Sequence, residues 1–366
     1  MKPIVEEAFA ELVRCGLLAE KPGLVYFNLL EEEDWKTVYF LVQKQAIIGI
    51  CFSAVEALPE GLRPPSSIYL NWFGQVLYIK EGFRRMRAAV LELEMLFQAN
   101  NIYPVLMKGL GMGCWYPRPE LRMTGDIDFY IPKHYNEAVD YVENWGFKVT
   151  YMPNHDKFVY KDIWVEMHHQ PIRFPLSADW KMESALISDG EVHYRVLDAD
   201  SNALLLLTHA AKHLIGPGVG IRHLCDWVVF LQHNYPKVDF KKLRREVERL
   251  GLERFAIEFT ALANDCFGMD FPGMEQWYRN SKPALKKRLW TDMLEKGDCG
   301  RESMKQRRQS KWLSYYATLT VRLWRFRVFC PGYVDRVAVQ RIATRLKFVF
   351  KGNPFGNSFE YTREKK

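Results

Sequence analysis

The fold of this chain is indicated by one stretch, Arg122-Met123-Thr124-Gly125-Asp126-Ile127-Asp128-Phe129-Tyr130-Ile131. Residues two apart on a β-strand project from the same face, so Asp126 and Asp128 are expected side by side. Ile127 and Phe129 then point to the opposite face. Two adjacent carboxylates repel each other unless a cation lies between them, and Mg²⁺ prefers hard oxygen ligands of this kind. The stretch therefore predicts a β-strand that carries a metal site suited to phosphoryl chemistry.

The length and composition of the chain are those of a folded protein with two or three domains. Its 366 residues are 48% hydrophobic and 14% aromatic, which permits a sizeable core in each domain. No apolar run reaches the roughly 18 residues that a membrane span needs, and the acidic N-terminus does not resemble a signal peptide. The seven cysteines include no Cys-x-x-Cys pair, so neither a disulfide framework nor a zinc knuckle is indicated. We therefore expect a cytoplasmic protein.

Alternation and helical periodicity predict an α+β fold, in which a small mixed-sheet core lies between helical regions. Strands are predicted at 103–107, 126–131, 147–151, 157–161 and 163–168, with a helix at 134–145. Further helical patterns occupy 81–98, 203–214, 221–233 and 241–267. The expected organisation is an N-terminal helical region (1–100), an α/β core (101–200), a helical substrate-side region (201–290) and a basic helical C-terminal region (291–366).

The C-terminal region is strongly basic. Residues 301–351 contain thirteen lysines or arginines and two acids, a surplus larger than the +7 of the whole chain. Such charge attracts polyanions, among them nucleic acid. Two interpretations stay open for Arg322, Arg325, Arg336 and Lys347. In the first, these four residues form a polyanion-binding surface. In the second, the apolar residues between them pack on the core and the four charges face solvent.

The order of motifs along the chain resembles the nucleotidyltransferase superfamily that includes DNA polymerase β and the minimal nucleotidyltransferases. It is most similar to a branch of uncharacterised bacterial nucleotidyltransferases, and the resemblance runs from about residue 70 to about residue 240. The matching positions are Lys108, Gly109, Arg122, Gly125, Asp126, Asp128, Glu166, His168, His209, His213, Arg222 and Asp226.

The resemblance implies a nucleotidyltransferase-type core and an enzyme that moves a nucleoside monophosphate from an NTP, expected to be ATP, to a hydroxyl acceptor. Pyrophosphate leaves, and two Mg²⁺ ions are implied as cofactors. Asp126, Asp128 and Glu166 are then the catalytic metal ligands, and Glu166 also assists deprotonation of the acceptor hydroxyl. A lone glutamate in an apolar strand such as Ile163-Trp164-Val165-Glu166 is costly to bury unless a cation lies beside it.

The nucleotide phosphates are assigned to the residues that precede the acidic strand. Lys108, the amides around Gly109, and Gly125 are expected to contact the NTP. Arg122 is either a second phosphate contact, because a guanidinium pairs bidentately with phosphate oxygens, or a structural residue that pairs with Glu120 or caps a helix. One departure from the wider superfamily is that Lys108-Gly109-Leu110-Gly111 replaces the usual Gly-Ser, and sixteen residues separate Gly109 from Asp126.

The resemblance places His168, His209, His213, Arg222 and Asp226 on the substrate side of the site. The i, i+4 pair His209 and His213 shares a helix face, but it lacks the glutamate of a His-Glu-x-x-His metalloprotease. We favour structural histidines that pack on Trp227 or bind backbone groups over a metal site.

Two further groups have a structural interpretation beside the functional one. Arg222 and Asp226 lie four apart and most simply form an ion pair. Trp115 and Tyr116 either stack on a nucleobase or fill the core. Two alternative functions also stay open: a catalytically silent nucleotide-binding or regulatory protein, and an RNA-modifying nucleotidyltransferase that uses the basic tail.

Overall fold

The computed structural model describes residues 2–152, 155–188, 192–269, 271, 274–298 and 320–350. It is an α+β structure, as the sequence predicts, with a single seven-stranded mixed sheet between helical segments. Across these described ranges, no helix is both long enough and apolar enough to cross a bilayer.

The sheet consists of strands β1 (Val105–Met107), β2 (Asp126–Tyr130), β3 (Thr150–Tyr151), β4 (His155–Tyr160), β5 (Ile163–His168), β6 (Ser184–Ser188) and β7 (His193–Leu197). Their order is β3-β4-β5-β2-β1-β7-β6, with the acidic strand β2 at the centre. Strand β2 is antiparallel to β1 and parallel to β5, and β7 is parallel to β1. The β6–β7 hairpin was not predicted because most of β6 is exposed at the edge of the sheet and lacks apolar alternation.

Helices lie before and after the sheet. They are α1 (Pro3–Leu18), α2 (Glu32–Lys44), α3 (Ile48–Glu56), α4 (Ser66–Gln98), α5 (Lys108–Gly113), α6 (Tyr135–Asn144), α7 (Ala199–Ile215), α8 (Ile221–Asn234), α9 (Phe240–Leu250), α10 (Glu253–Phe267), α11 (Glu275–Tyr278) and α12 (Pro283–Lys296). A helical segment at 320–326 and α13 (Pro331–Phe350) follow. The helical pattern predicted at 241–267 consists of two helices, because Gly251 ends α9 with a φ of 74°.

Two hydrophobic cores share the long helix α4. Its first half, including Trp72, packs against α2 and α3 and belongs to the core that also contains residues of α7 to α10. Its second half, including Phe97, packs under the sheet, where the Phe97 ring lies 6.2 Å from that of Phe129. The buried amide of Gln45 joins distant segments, since it donates to Met293 O at 2.8 Å and accepts from the Ile221 amide at 2.9 Å. The helices around the sheet are therefore cross-linked to one another.

The described part of the basic C-terminal region packs on the helical core. Arg322 is 7% exposed and its Nη2 lies 3.0 Å from Asp292 Oδ2. Phe326 is fully buried, and Arg336 donates to Arg249 O at 2.8 Å. The burial of Phe326 favours the core-packing interpretation for residues 320–340, but Arg322 is buried in an ion pair and does not face solvent as that interpretation expects. The expectations for residues 299–319 and 351–366 and for the Lys347 side chain lie outside what the structure describes.

Candidate active site

Three carboxylates lie together on one face of the sheet. Asp128 on β2 is paired in register with Glu166 on the parallel strand β5, and Asp126 is paired with Trp164. Ile127 and Phe129 alternate with the two aspartates and are buried in the core beneath the sheet. The predicted common face of Asp126 and Asp128 is thereby confirmed.

Lys108 reaches the carboxylates from the end of β1. Met107, the last residue of β1, is paired in register with Asp128, and the chain then turns sharply through Lys108 (φ 47°) and Gly109 (φ 23°). The turn brings Lys108 Nζ to 2.6 Å from Asp128 Oδ1. Burial disfavours the charged ammonium, but the Asp128 carboxylate outweighs it and raises the pKa of Lys108.

Gly109 has little space for a side chain, which gives a first prediction. A Cβ at this position would lie 2.8 Å from Thr124 Cγ2, on a backbone conformation that L-residues avoid. Gly109→Ala should therefore destabilise the protein by about 1–3 kcal/mol in denaturant unfolding and displace Lys108. Gly113→Ala, in the same short helix with no atom within 4 Å of its Cβ, is the matched control. Equal stability of the two variants would contradict the prediction.

Two histidines hold the third carboxylate. His168 Nε2 lies 2.9 Å from Asp128 Oδ1 and 3.4 Å from Glu166 Oε2. His155 Nε2, on the neighbouring strand β4, lies 3.3 Å from Glu166 Oε1. Because one imidazole nitrogen contacts both carboxylates, Glu166 faces Asp128. His155 was missed at the sequence level, although it is paired in register with His168 across β4 and β5.

The three carboxylates have different electrostatic environments. Burial acts to raise the pKa of Asp128, but the Lys108 charge and the His168 hydrogen bond lower it to about 2. Burial also opposes the charge of Glu166, and the hydrogen bonds from His155 and His168 hold its pKa well below the usual range. The protein thus keeps these two groups ionised.

Asp126 is the carboxylate whose charge the protein neutralises least. Burial and the neighbouring Asp128 charge raise its pKa to about 6. Among the described residues no ion pair includes Asp126. A divalent cation beside Asp126 and Asp128 would relieve this repulsion, and the donor set consists of the hard oxygens that Mg²⁺ prefers. The residues therefore fit a magnesium site.

A second group of polar side chains lies on the helices beside Lys108. His209 and His213 on α7 and His223 on α8 form a histidine cluster, with ring centroids 4.5 to 5.4 Å apart. Burial, followed by neighbouring cations, holds the pKa of His209 and of His213 well below the usual range, and Lys108 is one of the cations acting on His209. Lys212, between His209 and His213 on α7, is exposed. His223 and Lys212 were both missed at the sequence level.

A comparison with protein families decides the assignment. A family model described as "Uncharacterised nucleotidyltransferase" matches residues 31–268, well over half of the chain. This chain belongs to that nucleotidyltransferase family. The matched range includes the sheet carboxylates, Lys108 and the histidine cluster, so all of them lie within the part of the chain that the family shares.

The nucleotidyltransferase also resembles one solved structure, "Crystal structure of an antigenic nucleotidyltransferase-like protein from Paracoccidioides brasiliensis". The two are 11% identical with a TM-score of 0.32, and the match covers 53% of this chain and 96% of the other. A search of curated proteins finds no match.

Arg122 of the nucleotidyltransferase forms an internal ion pair instead of the predicted phosphate contact. It is 2% exposed, and its Nε and Nη2 each donate to an Asp226 carboxylate oxygen at 2.8 Å. The Tyr116 hydroxyl donates to the same carboxylate at 2.6 Å. The predicted phosphate contact of Arg122 is therefore wrong, because the guanidinium is buried in an internal ion pair. Tyr116 belongs to the core, not to a base-stacking surface.

Arg222 also has a different partner from the one predicted. Its Nε donates to Asp298 Oδ2 at 2.6 Å, so the predicted ion pair between Arg222 and Asp226 is wrong. Trp115 packs edge-on against Phe230, with ring centroids 5.7 Å apart. Gly125 is exposed ahead of β2, and its predicted nucleotide contact stays a prediction.

The predicted substrate-side histidines divide between two places. His168 lies among the carboxylates themselves, where it bridges Asp128 and Glu166. His209 and His213 contact each other and His223, and the Trp227 indole donates instead to Thr260 Oγ1 at 3.1 Å. The carboxylates on the sheet and the histidine cluster on α7 and α8 therefore form two separate polar groups.

Proposed function

We propose that this nucleotidyltransferase moves a nucleoside monophosphate from an NTP, preferentially ATP, to a hydroxyl acceptor and releases pyrophosphate. The observation that carries the proposal is the convergence of Asp126, Asp128 and Glu166 on one sheet face, with Lys108 in contact with Asp128. Family membership gives this constellation its chemical context.

Asp126, Asp128 and Glu166 are the residues that would hold two Mg²⁺ ions. Such ions stabilise the charge that develops on the attacking and leaving oxygens of an in-line phosphoryl displacement. The protein's own contribution is a rigid set of anions, because β2 and β5 are held by sheet hydrogen bonds and His155 and His168 orient Glu166. The low pKa of Glu166 suits this role as a fixed anion better than acceptance of the hydroxyl proton.

Lys108 supplies a fixed positive charge for the β- and γ-phosphates. It follows β1 directly, and the turn at Gly109 leaves backbone amides beside it, an arrangement that favours anions. The raised pKa of Lys108 keeps the ammonium charged at neutral pH despite its burial. Phosphate oxygens near this ammonium form charge-assisted hydrogen bonds, the strong class of polar contact.

The proposal predicts magnesium-dependent binding of ATP that depends on Lys108. In calorimetric titrations with ATP and Mg²⁺, Lys108→Met should weaken binding about tenfold, because one charge-assisted contact is lost. The exposed Lys148→Met is the matched control and should bind as the native protein does.

Pyrophosphate release from ATP, assayed with a panel of hydroxyl acceptors, tests the reaction itself. Release that requires Mg²⁺ supports the proposal. Tight ATP binding without release from any NTP would favour the catalytically silent alternative instead.

A further inference from the structure

The histidine cluster contains buried polar atoms that lack partners. His223 is 5% exposed, and its Nε2 has no hydrogen-bond partner among the described residues. The same holds for the buried Nδ1 of His213. An unsatisfied buried donor or acceptor costs about 1–3 kcal/mol, so such groups in a native protein usually contact a ligand or water.

The protonation of His223 is fixed by a backbone contact. The Gly220 amide donates to His223 Nδ1 at 3.3 Å, a capping interaction at the start of α8. A neutral imidazole has one donor nitrogen and one acceptor nitrogen, so Nε2 of His223 carries the proton. The unpartnered atom is therefore a donor. A metal ion needs a free lone pair, whereas an anionic oxygen needs such a donor.

The charges around the cluster also favour an anion. Lys212 lies between His209 and His213 on α7, and the Arg222 charge acts on His213. Asp298 acts on His213 and His223 and is paired with Arg222 at 2.6 Å, and Asp226 also acts on His223 and is paired with Arg122 at 2.8 Å. Among the described residues Lys212 has no ion-pair partner, and its charge attracts phosphate oxygens and repels a divalent cation.

The position of the histidine cluster indicates which end of the nucleotide it contacts. The sheet order places β1 and β7 on one side of β2, and β5 and β4 on the other. Lys108 follows β1 directly and its charge acts on His209, so we assign the cluster to the β1 side together with Lys108. An in-line displacement requires the leaving group and the acceptor to be on opposite sides of the transferred phosphorus.

We infer that the histidine cluster, together with Lys212, binds the pyrophosphate end of the nucleotide, and that the acceptor binds on the β5–β4 side. The inference rests on the proposed function. His223 Nε2 donates to a phosphate oxygen and Lys212 supplies charge, so α7 and α8 hold the leaving group at the end of the reaction. The indole of Trp164, 49% exposed and paired in register with Asp126, marks the acceptor side.

Titration calorimetry with pyrophosphate in EDTA, without divalent cations, tests the inference on the full-length protein. His223→Gln keeps the cap, because a glutamine at this helix position also accepts from the Gly220 amide, but it withdraws the imidazole donor. His213→Phe removes the second unpartnered nitrogen. Each variant should lose about tenfold or more in pyrophosphate affinity. Lys212→Met, at an exposed position that leaves the core intact, should show a similar loss.

The control is His233→Gln on the same helix, where the native ring binds Val229 O one turn earlier. This variant should bind pyrophosphate normally. Native affinity in the His223, His213 and Lys212 variants would overturn the inference. Stoichiometric Zn²⁺ bound by the native protein and lost in both histidine variants would also overturn it. If pyrophosphate binding fails while ATP still releases pyrophosphate, the inference alone is wrong. Cluster-dependent pyrophosphate binding without turnover of any NTP would instead reject the proposed function.

Discussion

Asp128→Asn should reduce pyrophosphate release from ATP by about 10³-fold or more while the fold is retained. Asp128 is 5% exposed, contacts both Lys108 and His168, and lies at the centre of the three carboxylates. An amide has nearly the same shape, but it lacks the charge that a divalent cation and the Lys108 ammonium require. Release is measured at saturating ATP and Mg²⁺, and circular dichroism verifies the fold.

The matched control for this change is Asp162→Asn. Asp162 is exposed in the turn between β4 and β5 at a φ of 63°, where asparagine is well tolerated. Its variant should release pyrophosphate at the native rate. Unchanged turnover in Asp128→Asn would reject the assignment of this carboxylate to the active site.

Arg122→Met should destabilise the protein by about 3–5 kcal/mol, because it leaves the buried Asp226 carboxylate without its cation. The native pair is bidentate, with two contacts of 2.8 Å, and the Tyr116 hydroxyl supplies a third contact to Asp226. Denaturant unfolding at pH 7 measures the loss of stability. The matched control is Arg84→Met, which removes a charge from an exposed ion pair with Glu81. It should lower the free energy of unfolding by less than about 1 kcal/mol.

The pH dependence gives a second measurement of the same ion pair. Burial opposes the charge of Asp226, but Arg122 outweighs it and lowers the Asp226 pKa below its ordinary value of 3.8. Stabilisation from a depressed carboxyl pKa is present above that ordinary value and is lost as the pH falls through the lower folded value. The stability difference between the native protein and Arg122→Met should therefore shrink in acid.

A double variant separates the loss of the pair from a loss of packing. Arg122→Met combined with Asp226→Leu removes both charges and should recover much of the stability. A small effect of Arg122→Met on unfolding, combined with a large loss of ATP affinity, would restore the phosphate contact inferred from the sequence.

Sequence patterns located the acidic strand because the signal there is local. Strand alternation places Asp126 and Asp128 on one face whatever the rest of the chain does, and the predicted strand at 163–168 has the observed bounds. The adjacency of Glu166 was obtained only from the family resemblance, since parallel pairing of β2 and β5 is not encoded locally. Such pairing depends on how the whole sheet assembles.

The predictions failed where the partner of a side chain is distant in sequence. Arg122 and Asp226 are separated by 104 positions, and Arg222 and Asp298 by 76. Helical spacing indicated a local ion pair between Arg222 and Asp226. In the folded protein each of the two side chains is instead paired with a residue that is distant in sequence. His223 was overlooked for the same reason, because only the packing of α7 against α8 brings it to His209.

The 33-residue helix α4 limits how far the two cores can move apart. Trp72 near its start and Phe97 at its end belong to different cores, so a hinge opening of one core away from the other would require a continuous helix to bend or break. We therefore expect the relative position of the two cores to change little between empty and loaded protein. Under the proposed function, acceptors would be selected by this fixed arrangement instead of by closure of one core onto the other.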